Sequence, residues 1–272
     1  MLKLAYPIGT PDTRGKLAAY RGDTDEVLEA LKAIGYSAIE PFVRDPSAMD
    51  TKHFCRAVQQ HGFEVAAVGT GPIVGEDKLT FGSQDESVRK AAIERTKAVI
   101  DFAALFGAQV IVGKLRGDIH PADPEKSREL MKRAFRDVCK YAAARQVEIT
   151  IEPQNRFVTN NLNTTQQAVA LIRELGFPNL FVMCDVFHMN IEETSIAASL
   201  IGAKDYIRHI HFAENNRGVP GSGHLDFHEI VSVLKALHYD RYISVEIDQL
   251  PDAHHAAKAS FDFLHPLVSS RV

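Results

Sequence analysis

Short apolar runs alternate with longer amphipathic stretches along the whole chain. Eight of the runs read as strands, at residues 2–6, 38–42, 64–68, 109–112, 148–152, 180–185, 207–211 and 242–246. Apolar positions recur at helical spacing over 24–34, 51–60, 86–106, 124–144, 164–175, around 195–200, and over 227–237 and 254–267. Strands alternating with helices in this way are the signature of βα units around a parallel sheet. Gly35, Gly62, Gly107 and Gly176 each close a helical stretch just before a strand, where a left-handed residue ends a helix at little cost. Asp23 with Glu26, and Asp226 with Glu229, have the spacing of a capping box with Asp in place of Ser or Thr. Eight units in 272 residues close most economically into a single α/β domain, a (β/α)8 barrel over 1–272. The alternative is an open doubly wound sheet, but the first loop carries no GxGxxG.

The same pattern points to a site. The long loops at 7–22, 69–85, 113–123, 153–163 and 212–225 all follow strand C-termini, the face on which barrels build active sites. Barrel strands covered on both faces should be apolar throughout, and four of these are not. Period-two alternation turns Ile149, Ile151, Ile210, Ile243 and Val245 toward the helices. Glu152, Asp185, His211 and Glu246 then point into the barrel, each at the last position of its strand. Three carboxylates converging at one depth cannot all ionise cheaply. A divalent cation removes the difficulty, and oxygen donors with a single imidazole suit Mn²⁺ or Mg²⁺, with Co²⁺ possible. The plainer alternative makes one or two of them ion-pair partners or helix caps. His188, three residues past Asp185 in the following loop, is a candidate either to support a ligand or to face the substrate. His209, one layer below His211, is placed to orient a ligand, and Cys184 faces the helices as core.

Charge and composition narrow the class. A net charge of −4 leaves no basic face for a nucleic-acid backbone. Three dispersed cysteines give neither a disulfide framework nor a CxxC zinc site and fit the cytoplasm. The chain opens directly on a strand-like run and has no long uninterrupted apolar segment, so neither secretion nor a membrane span is expected.

Three segments carry a resemblance: Ile151-Glu152-Pro153-Gln154-Asn155-Arg156-Phe157; Asp185-Val186-Phe187-His188-Met189-Asn190-Ile191-Glu192-Glu193; and His211-Phe212 through Asn216-Arg217 to Gly221-Ser222-Gly223-His224. They resemble the ketose 3-epimerases, the D-tagatose and D-allulose 3-epimerases among them, within the xylose isomerase-like TIM-barrel superfamily. In the N-terminal half, Tyr20-Arg21-Gly22-Asp23, Val43-Arg44-Asp45-Pro46-Ser47 and Val68-Gly69-Thr70-Gly71 are closer to the 5-keto-L-gluconate epimerase branch. The resemblance implies that Glu152, Asp185, His211 and Glu246 are metal ligands. It makes Glu152 and Glu246 the paired acid/base carboxylates, and His188 and Arg217 the substrate ligands. It further implies a homodimer or homotetramer acting on a small sugar or sugar acid. The chemistry implied is epimerisation of a ketose or keto-sugar acid through a metal-bound enediolate, with a proton removed on one face and delivered on the other. An aldose–ketose isomerase of the hydroxypyruvate or inosose type is the nearest alternative. An endonuclease IV-like repair enzyme is more distant, since it needs extra zinc ligands and a basic groove.

One position departs from that pattern. The family glutamate that holds the far end of the sugar is Val158 here, so either Thr159 or Asn160 takes over or the substrate lacks a hydroxyl there. Arg44, Lys114 and Arg116 follow strand ends at the mouth, which favours a carboxylate or phosphate on the substrate; otherwise they pair with acids such as Asp45 or Asp118. Tyr6 and Phe157 are candidate walls for the sugar, or ordinary aromatic packing.

Overall fold

The computed structural model describes residues 2–270. Its strands are β1 (Lys3–Gly9), β2 (Ala38–Phe42), β3 (Glu64–Val65), β4 (Ala67–Gly69), β5 (Gln109–Val112), β6 (Ile149–Ile151), β7 (Leu180–Asp185), β8 (Ile207–Phe212) and β9 (Tyr242–Val245). Both β3 and β4 pair with β2, and together they occupy one position in the sheet, interrupted at Ala66. All pairings are parallel, and β1 bonds to both β2 and β9. The sheet thus closes on itself as the eight-position barrel expected from the sequence.

Alternation along the strands separates two interiors. Ile149, Ile151, Ile210, Ile243 and Val245 lie in the large apolar layer between strands and helices, with Leu28 and Leu31 of α1 (Thr24–Ile34) and Val138 of α5 (Pro124–Ala143). The barrel lumen is lined differently. Ala5 and Ala38 form one small cluster with Ala66, and Ala67, Ile111 and Met183 another. Buried polar groups, Glu40, Thr150, His209 and Ser244, occupy the rest of the same space. An apolar outer layer therefore holds the barrel, and a polar column rises inside it toward the C-terminal mouth.

The remaining helices are α2 (Thr51–Gln60), α3 (Gly71–Asp77), α4 (Glu86–Ala104), α6 (Thr165–Leu175), α7 (Val186–Glu192), α8 (Ile196–Ala203), α9 (Phe227–Ala236) and α10 (Ala253–Ser269). Two of these fall where the periodicity reads as loop, α3 and α7. The second matters most: the side chain of Asp185 accepts the Phe187 N–H at 2.9 Å and caps α7, so His188 stands in a helical first turn and not in a loop. Asp23 and Asp226 cap α1 and α9 as expected, but the reciprocal capping box is Thr164 with Gln167 at the start of α6.

Gly176 ends α6 at φ 68°, and a Cβ built there meets no atom within 4 Å. Gly176→Ala therefore tests backbone conformation alone, and should lower unfolding free energy by about 1 kcal/mol in urea titration.

Candidate active site

Glu152, Asp185, His211 and Glu246 come from the ends of β6, β7, β8 and β9, and each offers one ligand atom within 4.8 Å of the others. Their approach depends on the strands around them. At Gly113, just past β5, a Cβ would lie 2.4 Å from Glu152 Oε2 and 3.0 Å from the Gln154 amide nitrogen, so glycine makes room for both. That amide nitrogen donates to Glu152 Oε2 at 2.8 Å. Asp185 divides its work: one oxygen caps α7, and the other accepts from Arg217 Nη1 at 2.5 Å. The second Nη of Arg217 donates to Glu246, and the guanidinium lies 4.8 Å over the Phe187 ring.

Arg217 reaches the cluster from an unusual backbone. Its φ is 64°, a region that non-glycine residues rarely occupy and that collects at functional positions. The loop beyond β8 is built to hold it. Buried Glu214 accepts the N–H groups of Asn215, Gly221 and Leu225, while the Arg217 N–H and carbonyl bond to Glu214 and Asp248.

Beneath the cluster lies a group missed in the sequence. Glu40, in the middle of β2, accepts from His211 Nε2 at 3.0 and 3.1 Å and from His209 Nε2 at 2.8 Å. Ser244 Oγ lies 3.0 Å from the same His209 nitrogen. His211 Nδ1 thereby turns to the cluster, 3.2 Å from Glu246. This is the arrangement in which a carboxylate behind an imidazole sets the nitrogen that meets a cation. Three carboxylates and that nitrogen are the hard, mostly oxygen donor set of a divalent ion. His209 thus shares with His211 the Glu40 carboxylate below the cluster.

Burial and charge set the protonation. Burial, and next the charge of Glu246, push the Glu152 carboxyl from an ordinary 4.5 up to about 8, against the pull of His211 and Arg217. Burial acts the same way on Asp185, but Arg217, His188 and His211 hold it below its ordinary value. Burial alone would lower His211, yet Glu40 and Glu246 raise it well above the usual imidazole range. For His188 burial prevails and lowers the ring to about 4, so that it is neutral. One nitrogen of that ring meets Asn155 at 2.8 Å, and the other lies 3.7 Å from Glu152 and 3.8 Å from Asp185.

Three other expected substrate ligands have different work. Arg116 is wholly buried, and its guanidinium donates to the carbonyls of Gly113, Glu152, Asn161 and Leu162, tying the loop after β5 to the loop after β6. Every N–H of the fork has an acceptor, which leaves nothing for a substrate. Arg44 pairs with Asp77 at 2.8 Å and Glu76 at 3.5 Å, and not with Asp45, which takes Arg95. Tyr6 stands in register with Ile39 on the helix side, packs against Tyr36 with centroids 5.2 Å apart and donates its hydroxyl to Gln249. Pairing partners distant in sequence claimed all three.

Phe157 is 82% exposed and, with Val158, edges a cleft of about 650 Å³ between the loops after β5 and β6 and the segment 80–85 before α4. Neither replacement considered for the family glutamate is free. Thr159 donates to Asp118, and the Asn160 amide exchanges two hydrogen bonds with the backbone of Ile119. Val158 therefore leaves the cleft wall apolar at that position.

The fold and the site define a class, and comparison with known proteins agrees: the chain belongs to the xylose isomerase-like TIM barrel family, matched over residues 28–267. It is 29% identical over 217 residues to the ketose 3-epimerase of Arthrobacter globiformis, covering 78% of this chain and 73% of that one. It is 30% identical over 176 residues to the 3-dehydro-D-guloside 4-epimerase of Escherichia coli K12, covering 65% and 66%. The crystal structure of D-psicose 3-epimerase with D-tagatose from Clostridium cellulolyticum H10 shares the fold, with a TM-score of 0.83 at 23% identity over 99% of this chain and 100% of that one.

Two outcomes follow from this electrostatics. Arg116→Ala should destabilise the protein by about 3 kcal/mol in chemical denaturation, because it orphans buried carbonyls along two loops. The second concerns pH. A carboxyl whose pKa rises on folding binds its proton more tightly in the native state, so its stabilising contribution is present in acid and withdrawn as pH climbs. The melting temperature of the chelator-treated protein should accordingly fall as pH rises from about 6.5 toward 8, where Glu152 gives up its proton; below that, the depressed His188 works in the opposite sense. Glu152→Gln should flatten that fall in a differential scanning experiment.

Proposed function

We propose that the chain is a divalent-metal-dependent epimerase of a ketose or keto-sugar acid. That it is a carbohydrate epimerase rests on relatives named as epimerases. The reading of the site rests on one observation, the convergence of Glu152, Asp185, His211 and Glu246 at the barrel mouth. These four would hold Mn²⁺, Mg²⁺ or Co²⁺, and the bound cation would supply Lewis acidity toward the substrate's carbonyl and adjacent hydroxyl oxygens.

The remaining work falls to the chain's own side chains. A C–H beside a ketone is weakly acidic, and removing its proton leaves an enediolate. Glu152 and Glu246 would act as the pair that removes a proton on one face and returns one on the other. Arg217 and His188 would bind the substrate oxygens and complement the charge that develops on them. An isomerase of the hydroxypyruvate or inosose type would use one base for both transfers and would move the carbonyl. The proposal extends to a homodimer or homotetramer in the cytoplasm, where three unpaired cysteines are at home.

Arg44 and Arg116 no longer argue for an anionic substrate, so the decisive screen sets neutral ketoses against keto-hexonates and ketose phosphates. The Mn²⁺-loaded protein should exchange the hydrogen beside the carbonyl of one of these with solvent deuterium, read by NMR, without moving the carbonyl. Glu152→Gln and Glu246→Gln should each reduce that turnover by about 10³-fold while the metal-free fold persists. Absence of exchange across the whole panel would overturn the proposal.

A further inference from the structure

Asn155 lies three residues beyond Glu152 and is 2% exposed. Two contacts decide which way its amide points. Its Oδ1 accepts the backbone N–H of Phe157 at 3.0 Å, and a backbone N–H can only donate. The carbonyl end is therefore fixed, and the atom 2.8 Å from His188 Nδ1 is the amide nitrogen, which can only donate in its turn. His188 Nδ1 must be the acceptor, so the proton of the neutral ring is on Nε2.

We propose that Asn155 is a positioning residue that fixes His188 in its Nε2–H tautomer, so that the imidazole meets the substrate as a hydrogen-bond donor to a ketone or hydroxyl oxygen. Only the identity of that oxygen rests on the epimerase reading. The donor faces the site without a strong partner there, since the 3.7 Å and 3.8 Å separations from Glu152 and Asp185 exceed hydrogen-bond length. A nitrogen that accepts carries no proton, so the Asn155 contact leaves the ring with a single N–H, the one on Nε2 that faces the site.

The support behind Asn155 is rigid. The next residue, Arg156, binds Glu192 of α7 through Nε at 2.9 Å, Nη2 at 2.7 Å and its backbone N–H at 2.6 Å. Asn163 donates to the carbonyls of Gln154 and Thr159 and closes the same loop. The loop bearing Asn155 and the helix bearing His188 are thus clamped together one residue away from the contact. An aspartate at position 155 would reverse the tautomer, because its carboxylate would accept from Nδ1–H.

The tautomer can be read without substrate, so its outcome is distinct from that of the epimerase reading. Protein labelled with ¹⁵N-histidine and loaded with Mg²⁺ is recorded by two-bond ¹H–¹⁵N correlation, with His188 assigned through its loss in His188→Gln. The wild-type ring should carry its proton on Nε2, and Asn155→Asp should move it to Nδ1. On the ketose that turns over, Asn155→Asp should lower kcat/KM by about 10²-fold, the cost of one misdirected donor. In a His188→Gln background, whose amide donates without help from Asn155, the same change should cost about threefold or less. An Nδ1–H ring in the wild type overturns the proposal, as does an equal loss in both backgrounds. Should Asn155→Asp fail to fold, the wild-type spectrum decides alone.

Discussion

Three carboxyl groups held within 4.8 Å of one another at the barrel mouth impose their terms on everything around them. Like charges so close and so buried resist joint ionisation. The chain answers in three ways: Arg217 reaches across to two of them, His211 presents a nitrogen to the same space, and Glu152 becomes a weak acid. A divalent cation would be a fourth answer, and would meet the charge most directly. The left-handed backbone at Arg217 and the folded loop around Glu214 make sense as structure held in place to deliver one guanidinium.

The two imidazoles at the site are set in opposite senses by the groups behind them. Glu40 takes the Nε2 side of His211 and leaves Nδ1 for a cation, whereas Asn155 takes the Nδ1 side of His188 and leaves Nε2–H for a ligand. A carboxylate behind the ring raises its basicity; a neutral amide does not. In the proposed function one residue type would thus serve two tasks at one barrel mouth, set apart by the groups behind each ring.

Much of this was legible in the residue pattern because period two is strict in a strand. Once Ile149, Ile210 and Ile243 face the helices, Glu152, His211 and Glu246 have nowhere to point but inward. The eight units and the four glycine helix ends follow from equally local rules. What escaped was set by distant pairing. Glu40 sits inside an apolar strand with no motif about it, and the histidines that explain it are 169 and 171 residues away. Arg44 and Arg116 read as anion receptors until Asp77 and the carbonyls of a neighbouring loop claimed them. Helix α7 was hidden because Asp185 ends a strand and caps a helix at once, and a residue serving both leaves no turn signal between them.

That double service also explains how the site keeps its shape. A ligand on a flexible loop would lose orientation each time the loop moved, while Asp185 is fixed by a sheet on one side and a helix on the other. His188 inherits the same support one turn later, and the Arg156–Glu192 clamp adds a second anchor from the adjoining loop. The carboxylates, the imidazoles and the guanidinium are therefore held before any ligand arrives, which is the condition for charge to be stabilised without reorganisation when it forms. The apolar wall at Val158, by contrast, lies among loop residues whose polar groups are occupied with one another. The barrel and α7 fix the clustered groups, while the loops after the strands leave room for variation that does not disturb them.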